Sequence, residues 1–288
     1  IYSRIQPYQL FGDYTRQWHD RALYHNSALR YANDPQLESF RNEMKSLKEY
    51  DMAGLLPLAN DHYDYYARLL KLLNDSGTKP EECLLLPGLT VVPNLSLRPK
   101  DGGSKYPLYP IMDAARKSPY SPRINGKIPL MNYRSFTPKT AAELRKRFQQ
   151  DGYREFAVFV NCWLDVYSHW NKHKKLLPDY KEQQRQKLKN MLADSDGLIY
   201  SNYHMNRDPK GNYDLDAAFY PELDRKELAP LFEEVYSLPE NRGKFLNFDV
   251  FHGYINYKSG LTEAEHGTLH LRKAIDTALL YNPDIINL

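Results

Sequence analysis

Apolar residues along the chain occur in short runs that alternate with stretches of helical spacing. The strand-like runs are 1–11, 54–59, 83–92, 127–132, 156–162, 197–202, 245–251 and 284–288. Helical spacing dominates between them, at 35–47, 63–73, 137–150, 179–192, 226–236 and 268–280. Continuous apolar strands separated by helices are typical of a parallel sheet covered by helices. Eight such units in one chain predict an α/β fold, a single-domain (β/α)₈ TIM-type barrel over residues 1–288.

Two features of the connecting segments refine this prediction. The segment 97–127 is rich in Pro and Gly, and we expect a long functional loop near the rim of the barrel. Neither GxGxxG nor GxxxxGK[ST] follows any strand-like run, which argues against a nucleotide-binding open sheet.

The chain starts with Ile1 rather than Met, and we expect a processed or trimmed chain, including at strand eight.

The run FLNFDVFHGY at 245–254 is the most informative one. Asn247 and Asp249 alternate with apolar residues, so they share one side of an extended strand. A carboxylate in such a strand is costly unless it is paired or used. Two interpretations stay open: a buried Asp249 satisfied by its neighbours, or a pocket lined by these two residues with His252 and Tyr254. An unpaired Asp249 would have a raised pKa.

Polar and aromatic residues recur where the predicted strands end. In a (β/α)₈ barrel the carboxyl ends of the strands carry the active site. The residues there are Tyr8, Asp61, His62, Asn94, Asn132, Tyr133, Arg134, Asn161, Trp163, Asp165, Tyr203, His204, Asn247, Asp249, His252 and Tyr254. Each alone is compatible with a capping or loop role, but their recurrence at strand after strand favours a site. Few are cations, so the set suits sugar hydroxyls better than phosphate.

Glycoside hydrolysis requires two carboxyl groups that face each other across the scissile bond. Asp61, Asp165 and Asp249 are the carboxylates at strand ends, and we predict Asp165 and Asp249 as the catalytic pair. Asp165 lies further out, where it would stay ionised. The residues predicted to bind substrate are Tyr8, Asp61, His62, Asn94, Tyr133, Arg134, Trp163, Tyr203, His204, His252 and Tyr254. The 24 tyrosines also suit a ligand with apolar faces and hydroxyls, although core packing explains most of them equally well.

The order of segments resembles the barrel glycoside hydrolases of families 71 and 99, the α-glucanase and endo-α-mannosidase type. The matching stretches are LESFRNEMKSLKEYDMAGLLPL, HYDYYARLLKLL, NGKIPLMNY and NPDIINL. The resemblance implies a barrel fold and a glycan or polysaccharide substrate. In those families a segment like NPDIINL leads into a Trp-Asn motif with two carboxylates three residues apart, which is associated with catalysis. The sequence ends at Leu288 before this motif, so the family's pair is assigned to none of its residues.

Charge and cysteine content narrow the possible partners. A net charge of +3 from 39 basic and 36 acidic residues argues against a nucleic-acid partner. No apolar run reaches membrane-spanning length, and Cys83 and Cys162 lack a CxxC partner. We predict a secreted or periplasmic glycoside hydrolase without a cofactor. The alternatives are a carbohydrate-binding barrel without catalysis and a metal-dependent hydrolase or deacetylase.

Two histidine pairs bear on the metal alternative. His169 and His173, and likewise His266 and His270, are spaced four residues apart, but both pairs lack the Glu of the HExxH zinc motif. Helix-surface or capping roles are therefore expected for them, and no metal site is predicted.

Overall fold

A computed structural model describes part of the chain. It comprises residues 9–13, 45, 48, 53–56, 58–59, 65–89, 108–132, 136–164, 166–201, 220–250 and 273–287. These residues fall into two compact units, one within 9–161 and the other within 162–288. We call them the N-terminal and the C-terminal unit and describe each by itself.

The strands of the N-terminal unit pair in parallel. They are β1 (Gln9–Asp13), β2 (Gly54–Leu56), β3 (Leu58–Ala59), β4 (Leu84–Leu85), β5 (Gly88–Leu89), β6 (Ile128–Asn132) and β7 (Phe156–Cys162), the last of which ends at the boundary of the unit. β2 lies between β1 and β4, and β3, β5, β6 and β7 pair in that order. Parallel pairing of the predicted strands is therefore confirmed within this unit.

In the described part of this unit, these strands are accompanied by helices α1 (Tyr65–Asp75), α2 (Leu108–Lys117) and α3 (Pro138–Asp151). α3 shows how local sequence sets the bounds of a helix. The Thr137 side chain accepts a hydrogen bond from the Thr140 N–H at its start, and Gly152 ends it with a φ of 83°. α1 and α3 confirm the helices predicted at 63–73 and 137–150.

One prediction for the N-terminal unit is corrected. The segment 97–127 is not a structureless loop, because it contains α2 and a short antiparallel bridge between Ile124 and Lys127. β1 is described as Gln9–Asp13, and Tyr8 lies outside the described residues, so its place at the end of the first strand stays a prediction.

The C-terminal unit also alternates helices and strands. Its elements are α4 (Tyr167–His173), α5 (Pro178–Ala193), β8 (Gly197–Ser201), α6 (Pro221–Leu223), a π-helical turn (Asp224–Leu228), α7 (Ala229–Tyr236), a 3₁₀ turn (Pro239–Asn241), β9 (Phe245–Asp249), α8 (273–279) and β10 (Ile285–Asn287). β8, β9 and β10 are parallel, with β9 in the middle. α5 packs against β8 and α7. The helix predicted at 226–236 starts earlier, at Pro221.

Helix-to-helix contacts of the C-terminal unit include two ion pairs from α5. Lys181 Nζ lies 2.9 Å from Glu227 Oε2, and Arg185 Nε lies 2.7 Å from Glu234 Oε1. These contacts join α5 to the π-helical turn and to α7. Within the described ranges, no helix combines the length and the hydropathy needed to span a bilayer. The closed eight-stranded barrel and the single domain stay predictions.

Candidate functional site

The carboxyl ends of β8, β9 and β10 form one row in the C-terminal unit. Ser201, Asp249 and Asn287 are the last residues of these strands, and Asp249 is in register with both of the others. Because side chains alternate along a strand, Asn247 shares the face of Asp249, and Phe248 lies on the opposite face. That opposite face packs against the helices. Its Tyr200 ring lies 4.8 Å from Phe232 of α7, centroid to centroid.

Two asparagine amides bind the carboxylate of Asp249. Asn247 Nδ2 donates to Asp249 Oδ1 at 2.8 Å, and Asn287 Nδ2 donates to the same oxygen at 3.2 Å. The predicted sharing of one face by Asn247 and Asp249 is confirmed. Asp249 is therefore hydrogen-bonded by both neighbouring asparagines. The hydrogen bonds agree with the interpretation of a buried Asp satisfied by its neighbours, and they leave a binding role open.

The same three side chains form a patch that offers hydrogen-bond acceptors, which we call the acceptor patch (Asn247, Asp249 and Asn287). Asn247 Oδ1 and Asn287 Oδ1 have no hydrogen-bond partner in the described part of the chain. Asn247 is 0% exposed and Asn287 is 7% exposed. A buried acceptor without a donor costs about 1–3 kcal/mol. Such oxygens are suited to accept a hydrogen bond from a ligand hydroxyl or a bound water.

Trp163 and Asn161 are further predicted site residues that the structure describes. Trp163 follows β7 directly and is 49% exposed, which leaves much of its ring accessible. Asn161 belongs to the N-terminal unit, and its Oδ1 is another buried acceptor without a partner among the described residues. Asn132 is the last residue of β6, as predicted for a strand end.

Most other predicted site residues lie outside the described part of the chain. They are Tyr8, Asp61, His62, Asn94, Tyr133, Arg134, Asp165, Tyr203, His204, His252 and Tyr254. Their assignment to one cleft, and the catalytic pairing of Asp165 with Asp249, stay predictions. Asn287 was not predicted as a site residue. The sequence places Asn287 near the end of the run 284–288. That position indicates a site only when β10 is aligned with β9.

His169 has a structural role. Its Nε2 accepts a hydrogen bond from the Leu177 N–H at 3.2 Å, and its ring stacks on Tyr180 at a centroid distance of 4.0 Å. This occupies a nitrogen that a metal would need. The pKa of His173 is lowered, and partial burial is the largest cause. The neighbouring His169, Lys172 and Lys175 lower it further. In the described ranges, no three His, Cys, Asp or Glu side chains are grouped as a metal site would require. The pair at 266 and 270 lies outside them.

A second buried carboxyl lies on the helix side of the sheet. Asp224, the first residue of the π-helical turn, is 2% exposed and accepts a hydrogen bond from the Tyr281 hydroxyl. Burial raises the pKa of Asp224 to about 7, and the Tyr281 hydrogen bond opposes this rise. Burial likewise raises the pKa of Tyr200 and of Tyr281. This group faces the helices, so it is not part of the acceptor patch. No local sequence pattern predicts this buried carboxyl.

Comparisons with known proteins gave matches only among solved structures. No family model matches the chain, and no curated protein matches it. Two similar structures are of the GH99 endo-α-mannosidase from Bacteroides thetaiotaomicron, one of them in complex with BIS-TRIS-propane. Both are 14% identical to this chain and cover 87% of it, and the chain covers 69% and 65% of theirs. The TM-scores are 0.44 for the complex and 0.42 for the other structure. At these values, neither the fold nor the activity of those proteins is assigned to this chain.

Proposed function

We propose that the chain is the (β/α)₈-barrel domain of a secreted or periplasmic glycoside hydrolase that acts on a glycan or polysaccharide. The observation that carries the proposal is the acceptor patch at the carboxyl ends of parallel strands. Active sites of barrel enzymes lie at this end of the strands. The sequence resemblance to families 71 and 99 supports the same class of substrate.

The acceptor patch is suited to hold sugar hydroxyls. Each sugar hydroxyl has one hydrogen to donate, and the two amide oxygens offer buried acceptors for it. The exposed ring of Trp163 offers an apolar face on which a sugar ring can stack. Hydrolysis by two carboxyl groups needs no cofactor. In this proposal Asp165 and Asp249 supply them, one as acid and the other as base or nucleophile.

One observation favours the alternative, a carbohydrate-binding barrel without catalysis. Asp249 accepts hydrogen bonds from two amides, and this arrangement holds the carboxylate in a fixed orientation. A fixed, paired carboxylate serves ligand binding as well as it serves catalysis. The two functions differ in whether a bound glycan is cleaved.

The experiment is to incubate the 288-residue chain with α-linked manno- and gluco-oligosaccharides and to measure both binding and released products. We expect cleavage by the unchanged chain and a loss of about 100-fold or more in Asp249→Asn. Asn retains an acceptor oxygen, so the variant should lose only about 1 kcal/mol of unfolding free energy. Asp194→Asn, at an exposed position after α5, is the matched control. Binding without cleavage would establish the alternative, and neither binding nor cleavage would overturn the proposal.

A further inference from the structure

The carboxylate of Asp249 sets the orientation of both amides in the acceptor patch. An ionised carboxylate only accepts hydrogen bonds, so each asparagine must present its NH₂ end to it. The contacts agree, because both Nδ2 atoms lie within 3.2 Å of Asp249 Oδ1. Each amide oxygen is therefore directed away from Asp249. Neither amide can turn over without placing an oxygen against a carboxylate oxygen.

The two amide oxygens differ in depth. Asn247 precedes Asp249 by two positions in β9 and is fully buried, whereas Asn287 is the last residue of β10 and is 7% exposed. The Asn287 oxygen is thus the one nearer to the strand end, where a ligand would arrive. Both oxygens lack a protein donor in the described part of the chain. Proteins normally satisfy such buried acceptors with a ligand or an ordered water.

The chemistry of the patch also limits the charge of a ligand. Asn287 Oδ1 is an acceptor beside a carboxylate, so a hydroxyl hydrogen on the ligand is attracted to it. A carboxylate, sulfate or phosphate ion on the ligand has no hydrogen to donate, so it would leave the buried Asn287 Oδ1 without a partner. An acceptor buried in this way costs about 1–3 kcal/mol.

We infer that Asn287 is a specificity-determining residue that accepts a hydrogen bond from a hydroxyl of a neutral sugar, and that the acceptor patch discriminates against acidic glycans. The inference rests on the proposed function and names the class of sugar that the site takes. The Asn247 amide donates a hydrogen bond to Asp249. Asp249 in turn accepts a hydrogen bond from the Asn287 NH₂ group, so that the Asn287 oxygen is presented to the ligand.

The first test uses the unchanged chain and two probes. One is a neutral α-linked manno-oligosaccharide, and the other is the same oligosaccharide oxidised at C6 to uronic acids. We expect the oxidised probe to bind at least about 10-fold more weakly, the equivalent of losing one hydrogen bond. Equal or tighter binding of the oxidised probe would overturn the inference while leaving the proposed function intact. Absence of binding by both probes and by the corresponding gluco-oligosaccharides would overturn the inference and the proposed function together.

The second test uses Asn287→Ser and a series of monodeoxy analogues of the neutral probe. In the unchanged chain one deoxy position should cost about 10-fold in affinity, and in the variant the same position should cost nothing. Asn190→Ser, at an exposed position of α5, is the matched control and should keep the discrimination. A residue with a structural role only would lower the melting temperature and leave the discrimination unchanged, and that result would contradict the inference. If Asn287→Ser does not fold, the oxidised probe decides.

Discussion

The hydroxyl of Tyr281 donates a hydrogen bond to Oδ1 of Asp224. Asp224 opens the π-helical turn, and Tyr281 lies between α8 and β10, so the bond joins two separate parts of the C-terminal unit. Three aromatic rings lie within 5.2 Å of the Tyr281 ring, centroid to centroid: Tyr200, Phe232 and Phe248. The bond therefore helps to place β10, the strand that supplies Asn287 to the acceptor patch.

Asp224 should make the stability of the protein depend on pH. Burial raises the pKa of Asp224 to about 7 in the folded chain, from its ordinary value of 3.8. Between these values the unfolded chain loses the proton and the folded chain keeps it. The free energy of unfolding should therefore fall as pH rises from about 4 to about 7, by at most about 1.4 kcal/mol per pH unit. Above about pH 7 this contribution should stay constant.

Asp224→Asn should remove this dependence, because an amide does not titrate in this range. Denaturant unfolding of both proteins from pH 4.5 to pH 8 measures it. The unfolding free energy of the variant, relative to the unchanged chain, should rise with pH up to about 7. Asp194→Asn gives the effect of removing an exposed carboxyl. A difference between Asp224→Asn and the unchanged chain that is the same at every pH would refute the assignment.

Tyr281→Phe should destabilise the protein more at pH 8 than at pH 5. The hydroxyl lowers the pKa of Asp224, which means that it stabilises the ionised form. Its removal should cost about 1–3 kcal/mol once the carboxyl is ionised. Tyr236→Phe is the matched control, because the Tyr236 hydroxyl donates to the backbone oxygen of Phe245, which does not titrate. Equal losses at both pH values in Tyr281→Phe would contradict the prediction.

The register of β8 and β9 can be tested at Gly197. A Cβ at this position would lie 2.3 Å from the backbone oxygen of Phe245. Both atoms belong to paired strands and cannot easily move apart, so Gly197→Ala should cost about 3 kcal/mol. Gly243→Ala should cost about 1–2 kcal/mol, because its Cβ meets no atom within 4 Å and only its φ of 75° is unfavourable. Chemical denaturation distinguishes the two, and equal losses would place β8 in another register.

Strands were predictable because buried parallel strands are continuous apolar runs. The run at 156–162 coincides with β7, and the run at 245–251 contains β9.

Helix α2 was missed because Pro110 and the nearby glycines were taken as signs of a loop. Pro110 is tolerated there, since a proline in the first turn of a helix gives up an N–H that has no intrahelical partner. Its apolar residues Leu108, Ile111, Met112 and Ala115 do have helical spacing.

The site was less predictable than the strands. Alternation along one strand predicted that Asn247 and Asp249 share a face, because that relation is local. The contact between Asn287 and Asp249 joins residues 38 positions apart and depends on the register of two strands. The π-helical turn that carries Asp224 has no local sequence signal, so its buried carboxyl could not be predicted either. Contacts that depend on the pairing of strands or on the packing of helices can be read only from the structure.

The binding role of the acceptor patch can be decided by a crystal structure of the 288-residue chain with a bound α-linked manno-oligosaccharide. We predict a sugar hydroxyl oxygen within about 2.7–3.2 Å of Asn287 Oδ1, with the Asn287 NH₂ group still on Asp249. An oligosaccharide bound away from the carboxyl ends of β8, β9 and β10, with a protein donor on Asn287 Oδ1, would contradict the account.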